Sequence, residues 1–167
     1  AKAEAMLKEF IAASPQEIQL KSRLAGFYAG RKRYPEAETI LKEIVAADAT
    51  GKDGQTARIR LAETAMMQND LPAAAAYTEE ALKVDGGNVE ALLLRAGMQL
   101  NKKNADGAIA DLQHVLQDRP NADSAMIMLA QAHLQKGQEE EAQQQWLKAL
   151  EINPGNMDAL VPLTSQL

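Results

Sequence analysis

Residues Leu129 to Pro154 read LAQAHLQKGQEEEAQQQWLKALEINP, two helix-forming stretches on either side of a glycine, and the same layout returns along the chain at a fixed interval. Pro120 and Pro154 stand 34 positions apart, as do Ala108 and Ala142, and Ala74 and Ala108. Self-similarity at that period means stacked supersecondary units, each too small to bury its apolar face alone. Ala and Leu, both strong helix formers, dominate, so each unit reads as two helices joined by a short turn.

With Pro154 and Pro120 as unit ends, the repeats run 123–156, 89–122 and 55–88. A fourth occupies 18–54, with 52–54 as a small insertion that makes ATGKDG a loop between repeats. Turns within the pairs are expected near 31–34, 69–70, 102–105 and 136–138. Pro35 and Pro72 suit the first turn of a second helix, where a missing N–H costs nothing, and Asn69 and Asp70 are caps just ahead of Pro72. Gly86, Gly87 and Gly155 punctuate repeat ends.

Composition narrows the function. The hydrophobic share is 46% with only 4% aromatics, and the formal net charge is -5. Residues 1–84 hold 12 basic against 12 acidic side chains, and residues 85–167 hold 6 against 11. The excess negative charge therefore lies in the second half, opposite in sign to what a phosphate backbone attracts, and nucleic acid is not expected as a partner. Lys21, Arg23, Arg31, Lys32, Arg33, Arg58 and Arg60 cluster in the first two repeats and read as a solvated basic face. No cysteine is present, which excludes disulfides and thiolate chemistry and is compatible with cytosol and periplasm alike. No apolar run approaches the roughly 20 residues of a membrane helix, so a soluble chain without direct membrane insertion is expected.

Residue by residue, the units resemble the tetratricopeptide repeat. In the last full unit the slots are Met126, Leu129, Ala130, His133, Gly137, Ala142, Trp146, Ala149 and Pro154. The unit before it supplies Leu92, Arg95, Ala96, Gln99, Ala108, Leu112, Val115 and Pro120. The next one back supplies Arg58, Leu61, Ala62, Ala65, Ala74, Thr78 and Ala81, with Gly86 in place of the proline, and the first supplies Lys21, Leu24, Ala25, Tyr28, Ala37, Leu41 and Ile44. Arg95 in a leucine slot, Lys103 in the glycine slot and Thr78 in an aromatic slot depart from the pattern. The resemblance covers nearly the whole chain and implies an all-α, right-handed superhelical solenoid of antiparallel helix pairs.

Both ends fit the same register. Ala3, Leu7 and Phe10 match a second helix in 1–17, and Leu160, Leu163 and Leu167 match a first helix in 157–167, each without its partner helix. The apolar character of these ends leads us to expect a segment of a longer array, with end-to-end self-association of the fragment. Pro162 is expected to kink or restart the last helix.

Catalytic readings fail on specifics. TGKDG lacks the phosphate-loop glycine, since Ala46 stands five residues before Gly51, and Asp53 replaces the Ser or Thr after Lys52. NADG at 104–107 lacks calcium-loop acids at Lys102 and Gln113 and instead reads as a helix start capped by Asn104 or Asp106. His114 and His133 have no metal-ligand partner at helical spacing; Glu139, Glu140 and Glu141 complement a helix N-terminus; Trp146 reads as core. We expect no enzyme activity, no cofactor and no metal.

In the family the first helices line a concave face. The resemblance assigns to it Ser22, Gly26 and Ala29; Ile59, Glu63 and Met66; Leu93, Gly97 and Leu100; Ile127, Gln131 and Leu134; and Val161 and Ser165. Chaperone adaptors of the family hold lysine, asparagine and arginine there to grip a terminal carboxylate, and these slots have none. Two apolar rows emerge, Ile59–Leu93–Ile127–Val161 and Met66–Leu100–Leu134, either packed within the stack or open to a partner. The expectation is a non-catalytic scaffold that binds a protein or peptide along this partly apolar groove, with Gly97 leaving room for a bulky ligand residue and Glu63 and Gln131 anchoring its polar groups. The alternative is a repeat segment that positions a catalytic domain outside these residues.

Overall fold

A computed structural model describes the backbone of residues 2–165 and the side chains of 2–164, all in helices and short turns with no strand among them. The helices divide into two units, Ala1–Gly86 and Gly87–Leu167.

The first unit contains α1 (Lys2–Ala13), α2 (Ile18–Ala29), α3 (Tyr34–Ala47), α4 (Lys52–Met67) and α5 (Leu71–Val84). Helices α2 and α3 form one pair and α4 and α5 the next; α3 packs on α4, α1 lies on α2, and α2 also touches α4. Ala25, Leu41, Ile44, Ala57 and Leu61 make one core cluster, and Leu24, Tyr28 and Ala37 another, onto which Leu7 and Ile11 of α1 fold. Ala37 and Ala74 are wholly buried. A larger side chain at such a slot would overpack the close approach of the helices.

The second unit contains α6 (Val89–Asn101), α7 (Ala105–Asp118), α8 (Asp123–Gln135), α9 (Glu139–Ile152) and α10 (Met157–Ser165). Pairs α6–α7 and α8–α9 repeat the arrangement, α10 lies on α9, and α6 touches α8. Trp146 is buried with Met126, Ala130, Ala142, Ala149 and Ala159, and Leu163 packs on them from α10.

The four turns inside the pairs share one geometry. Lys32, Asn69, Lys103 and Gly137 all have φ between 58 and 71°. The residue after each, namely Arg33, Asp70, Asn104 and Gln138, donates its N–H to the carbonyl five positions back, on Tyr28, Ala65, Gln99 and His133. This closes the first helix in a Schellman motif while the same residue opens the next helix. Asp70 and Asn104 also cap with their side chains, accepting from the Ala73 and Gly107 amides.

Two expectations change. ATGKDG is not a loop throughout: α4 starts at Lys52, because the Asp48 carboxylate accepts from the amides of Gly51, Asp53 and Gly54 and supports the added turn. A Cβ at Gly54 would overlap the Asp48 carbonyl oxygen, so glycine permits that close approach. Helix α10 continues through Pro162 without restarting. Leu167 lies outside the described residues.

Candidate functional site

In the first unit, α2 and α4 lie side by side over a cleft of about 200 Å³. Its floor is Ala25, Gly26, Ala29 and Leu41, and its walls come from Arg60, Glu63, Thr64 and Met67 on α4. The Thr64 hydroxyl donates to the Arg60 carbonyl at 2.7 Å, so its polar atom is already engaged with the backbone. Arg60 is tethered across the cleft by Nη1 donating to the Ser22 carbonyl at 3.1 Å. The Glu63 carboxylate is exposed and has no ion-pair or hydrogen-bond partner among the described residues. Met67 is 64% exposed and forms a movable apolar rim. The space beside Gly26 is open, since a Cβ there would have nothing within 4 Å.

Of the residues expected to face a partner in this unit, Glu63 borders the cleft together with Gly26 and Ala29. Met66 is half-buried and stands outside the lining. Ile59 requires correction: at 8% exposure it is a packing residue, with too little surface left to meet a ligand. Arg60 and Met67 complete the cleft and were missed. The signal that identifies Arg60 is the small-residue run of the facing helix, which leaves a long side chain room to cross.

In the second unit, α6 carries Leu93, Gly97 and Leu100 beside Ile127, Gln131 and Leu134 on α8. Gln131 and Leu134 are exposed, as is Val161 on α10 at 52%. Leu93 and Gly97 are half-buried, and Ile127 packs against the Trp146 cluster. Leu100 is corrected in the same way as Ile59, being 4% exposed and part of the packing. The room expected beside Gly97 is partly taken, since Met128 Cε lies 3.6 Å from where a Cβ would stand. The side chain of Ser165 lies outside the described residues.

Neighbouring polar contacts hold the helices that carry these faces. Gln135 Nε2 donates to the Leu100 carbonyl at 3.0 Å, linking α8 to α6. Asp123 at the head of α8 accepts from Asn153 and Asn156, and these bonds, that of Asn153 foremost, hold its carboxyl below the ordinary 3.8. No described helix is long and apolar enough to cross a membrane.

Comparison with known proteins extends this geometry. A family profile described as tetratricopeptide repeat matches residues 1–61 and 99–160, and a second of the same description matches 59–123. The DnaJ homolog subfamily C member 7 homolog of Schizosaccharomyces pombe is 24% identical over 174 residues, covering 89% of this chain and 37% of that protein. The chain thus spans little more than a third of that relative's length. Among solved structures, YrrB, described as a TPR protein with an unusual peptide-binding site, superposes with a TM-score of 0.73 at 18% identity, covering 98% of this chain and 82% of its own. MamA, residues 41 to the end, from Desulfovibrio magneticus RS-1 gives 0.73 at 18%, covering 86% and 80%. TTC0263, a thermophilic TPR protein of Thermus thermophilus, gives 0.68 at 23%, covering 98% and 88%. At these identities the structural likeness concerns the fold, a solenoid of helical repeats.

Proposed function

Because this chain belongs to the tetratricopeptide repeat family, we propose that it is a non-catalytic scaffold whose first helices receive a peptide segment of another protein. The observation that carries the reading is the cleft between α2 and α4, with an apolar floor and the unpaired Glu63 at its mouth. Concave, mostly apolar surfaces with a few placed polar groups are the usual form of a binding site. In the second unit the receiving surface consists of Leu93, Gly97, Gln131, Leu134 and Val161, while Ile59, Leu100 and Ile127 serve mainly to pack the helices. YrrB, of the same fold and described as having a peptide-binding site, lends support. The exposed apolar side chains of α1 and α10, Met6, Phe10, Met157 and Leu160 among them, add a weak self-association of the chain.

A photo-crosslinking amino acid placed in turn at Met67 and Leu134 on first helices, and at Val84 and Ile152 on second helices, tests the scaffold reading. All four positions are exposed, so folding is spared. Partner adducts should form from positions 67 and 134. Equal or stronger adducts from 84 and 152 would move the binding surface to the second helices and overturn the assignment.

A further inference from the structure

Gly26 is the ninth of the 12 residues of α2, in its last turn, where glycine is still a poorer helix former than alanine. Packing does not require it, since an added Cβ would meet nothing within 4 Å. Its backbone φ is not in the left-handed region either. The missing side chain instead opens the floor of the α2–α4 cleft. The volume of about 200 Å³ falls below the roughly 300–1,000 Å³ of sites that enclose a small molecule, and suits one large side chain.

We infer that this cleft is a socket for one aromatic side chain of an extended partner segment, with a lysine or arginine beside that aromatic residue held by Glu63. The inference rests on the scaffold reading and deepens it. Three features of the lining select the ring. Met67 offers a thioether at the rim, and sulfur contacts with aromatic edges are favourable. Arg60 crosses the wall with a planar guanidinium able to lie over a ring face. The same unit already uses that contact, with the Arg31 guanidinium 4.3 Å from the centre of the Phe27 ring. Ala29 on the floor is partly exposed and packs on the Leu24, Tyr28 and Ala37 cluster, so a ring seated there covers apolar surface continuous with the core. The charge preference follows from an exposed carboxylate at the mouth that forms no ion pair or hydrogen bond with any described residue, the nearby Arg60 being engaged instead with the Ser22 carbonyl.

The test is a nitrogen-15 NMR titration of the full 167-residue chain with N-acetyl-Phe-Lys-amide, compared with the Leu-Lys, Ala-Lys and Phe-Glu analogues at low salt. Saturable shifts should centre on Gly26, Ala29, Arg60, Glu63 and Met67, with Phe-Lys binding about tenfold tighter than Ala-Lys and several-fold tighter than Phe-Glu. Gly26→Leu should fill the socket and remove Phe-Lys binding. To separate this effect from any disturbance of α2 by the leucine, Met67→Ala at the exposed rim serves as the second variant and should weaken Phe-Lys binding while the melting temperature holds. Equal affinity for Phe-Lys and Ala-Lys, tighter binding of Leu-Lys, shifts centred elsewhere, or unchanged binding by a folded Gly26→Leu variant would each overturn the socket. Should the dipeptides fail while partner adducts still form from positions 67 and 134, only the socket falls. Loss of those adducts as well removes the scaffold reading.

Discussion

Arg95 on α6 grips Asp111 on α7 with two parallel bonds, Nε to Oδ2 at 2.8 Å and Nη2 to Oδ1 at 2.7 Å. The aspartate side chain is only 8% exposed. This pair explains why a charged residue is tolerated in a slot that elsewhere holds Leu24, Leu61 and Leu129: the repeat substitutes a matched ion pair for an apolar contact. Removing Arg95 leaves the buried Asp111 carboxylate without this partner, whereas replacing both with apolar groups does not. Arg95→Leu alone should therefore cost about 2–4 kcal/mol, and adding Asp111→Leu should recover most of it. Chemical denaturation of the two variants checks this; a single variant as stable as the parent would show that the pair contributes little.

The four turns differ in how well their residue suits a left-handed backbone. Gly137 adopts φ 71° at no steric cost and Asn69 adopts 59° at a modest one, while Lys32 and Lys103 hold 58 and 60° against their Cβ. Lys103→Gly should stabilise the chain by about 1 kcal/mol, and Gly137→Ala should destabilise it by a similar amount. Melting curves of both variants at one pH would show the opposite shifts. Two shifts of the same sign would mean that unfolded-state entropy outweighs turn strain.

Acid should loosen α1 first. Glu4 accepts from Lys8, from the Tyr28 hydroxyl at 2.9 Å and from Arg33 at 2.9 Å. These bonds, that of Lys8 foremost, hold its carboxyl well below the ordinary 4.5, at about 2. A depressed carboxyl pKa stabilises the fold above its unfolded value, and that contribution drains away as pH falls from about 4.5 towards 2. Amide protection factors in α1, taken relative to the intrinsic exchange rate at each pH, should fall over this window, and Glu4→Gln should leave them low and nearly independent of pH there. Unchanged protection of α1 between pH 5 and about 2 would detach Glu4 from the anchoring of that helix.

Self-association of the chain should depend on the exposed faces of α1 and α10. Phe10 is 54% exposed on α1 and Met157 is also exposed on α10. Each apolar side chain of this size contributes about 1.5–3 kcal/mol when fully buried. Light scattering should show weak, concentration-dependent association that Phe10→Lys and Met157→Lys together abolish. A parent chain monomeric at every concentration would dispose of the idea.

Much of the architecture was legible because it is local and repeated. The positions of Ala74, Ala108 and Ala142 define helix pairs wherever they recur, and the turn near 136–138 follows from Gly137 and its flanking helix formers. Trp146 reads as core and is buried. The start of α4 was less legible, since a stretch rich in glycine and aspartate resembles a loop until the Asp48 carboxylate is seen to accept three amides. The binding face was legible only by helix, not by residue. Consecutive residues on a helix point about 100° apart, so a rotation of one position exchanges half-buried Met66 for exposed Met67 at the rim of the cleft. The repeat period thus identified the first helices as neighbours, and their residues as slots. Which slots are consumed by packing, as at Ile59 and Leu100, and which remain open, as at Gly26, depends on how far each helix is turned towards the helices beside it, and only the packed structure decides that rotation.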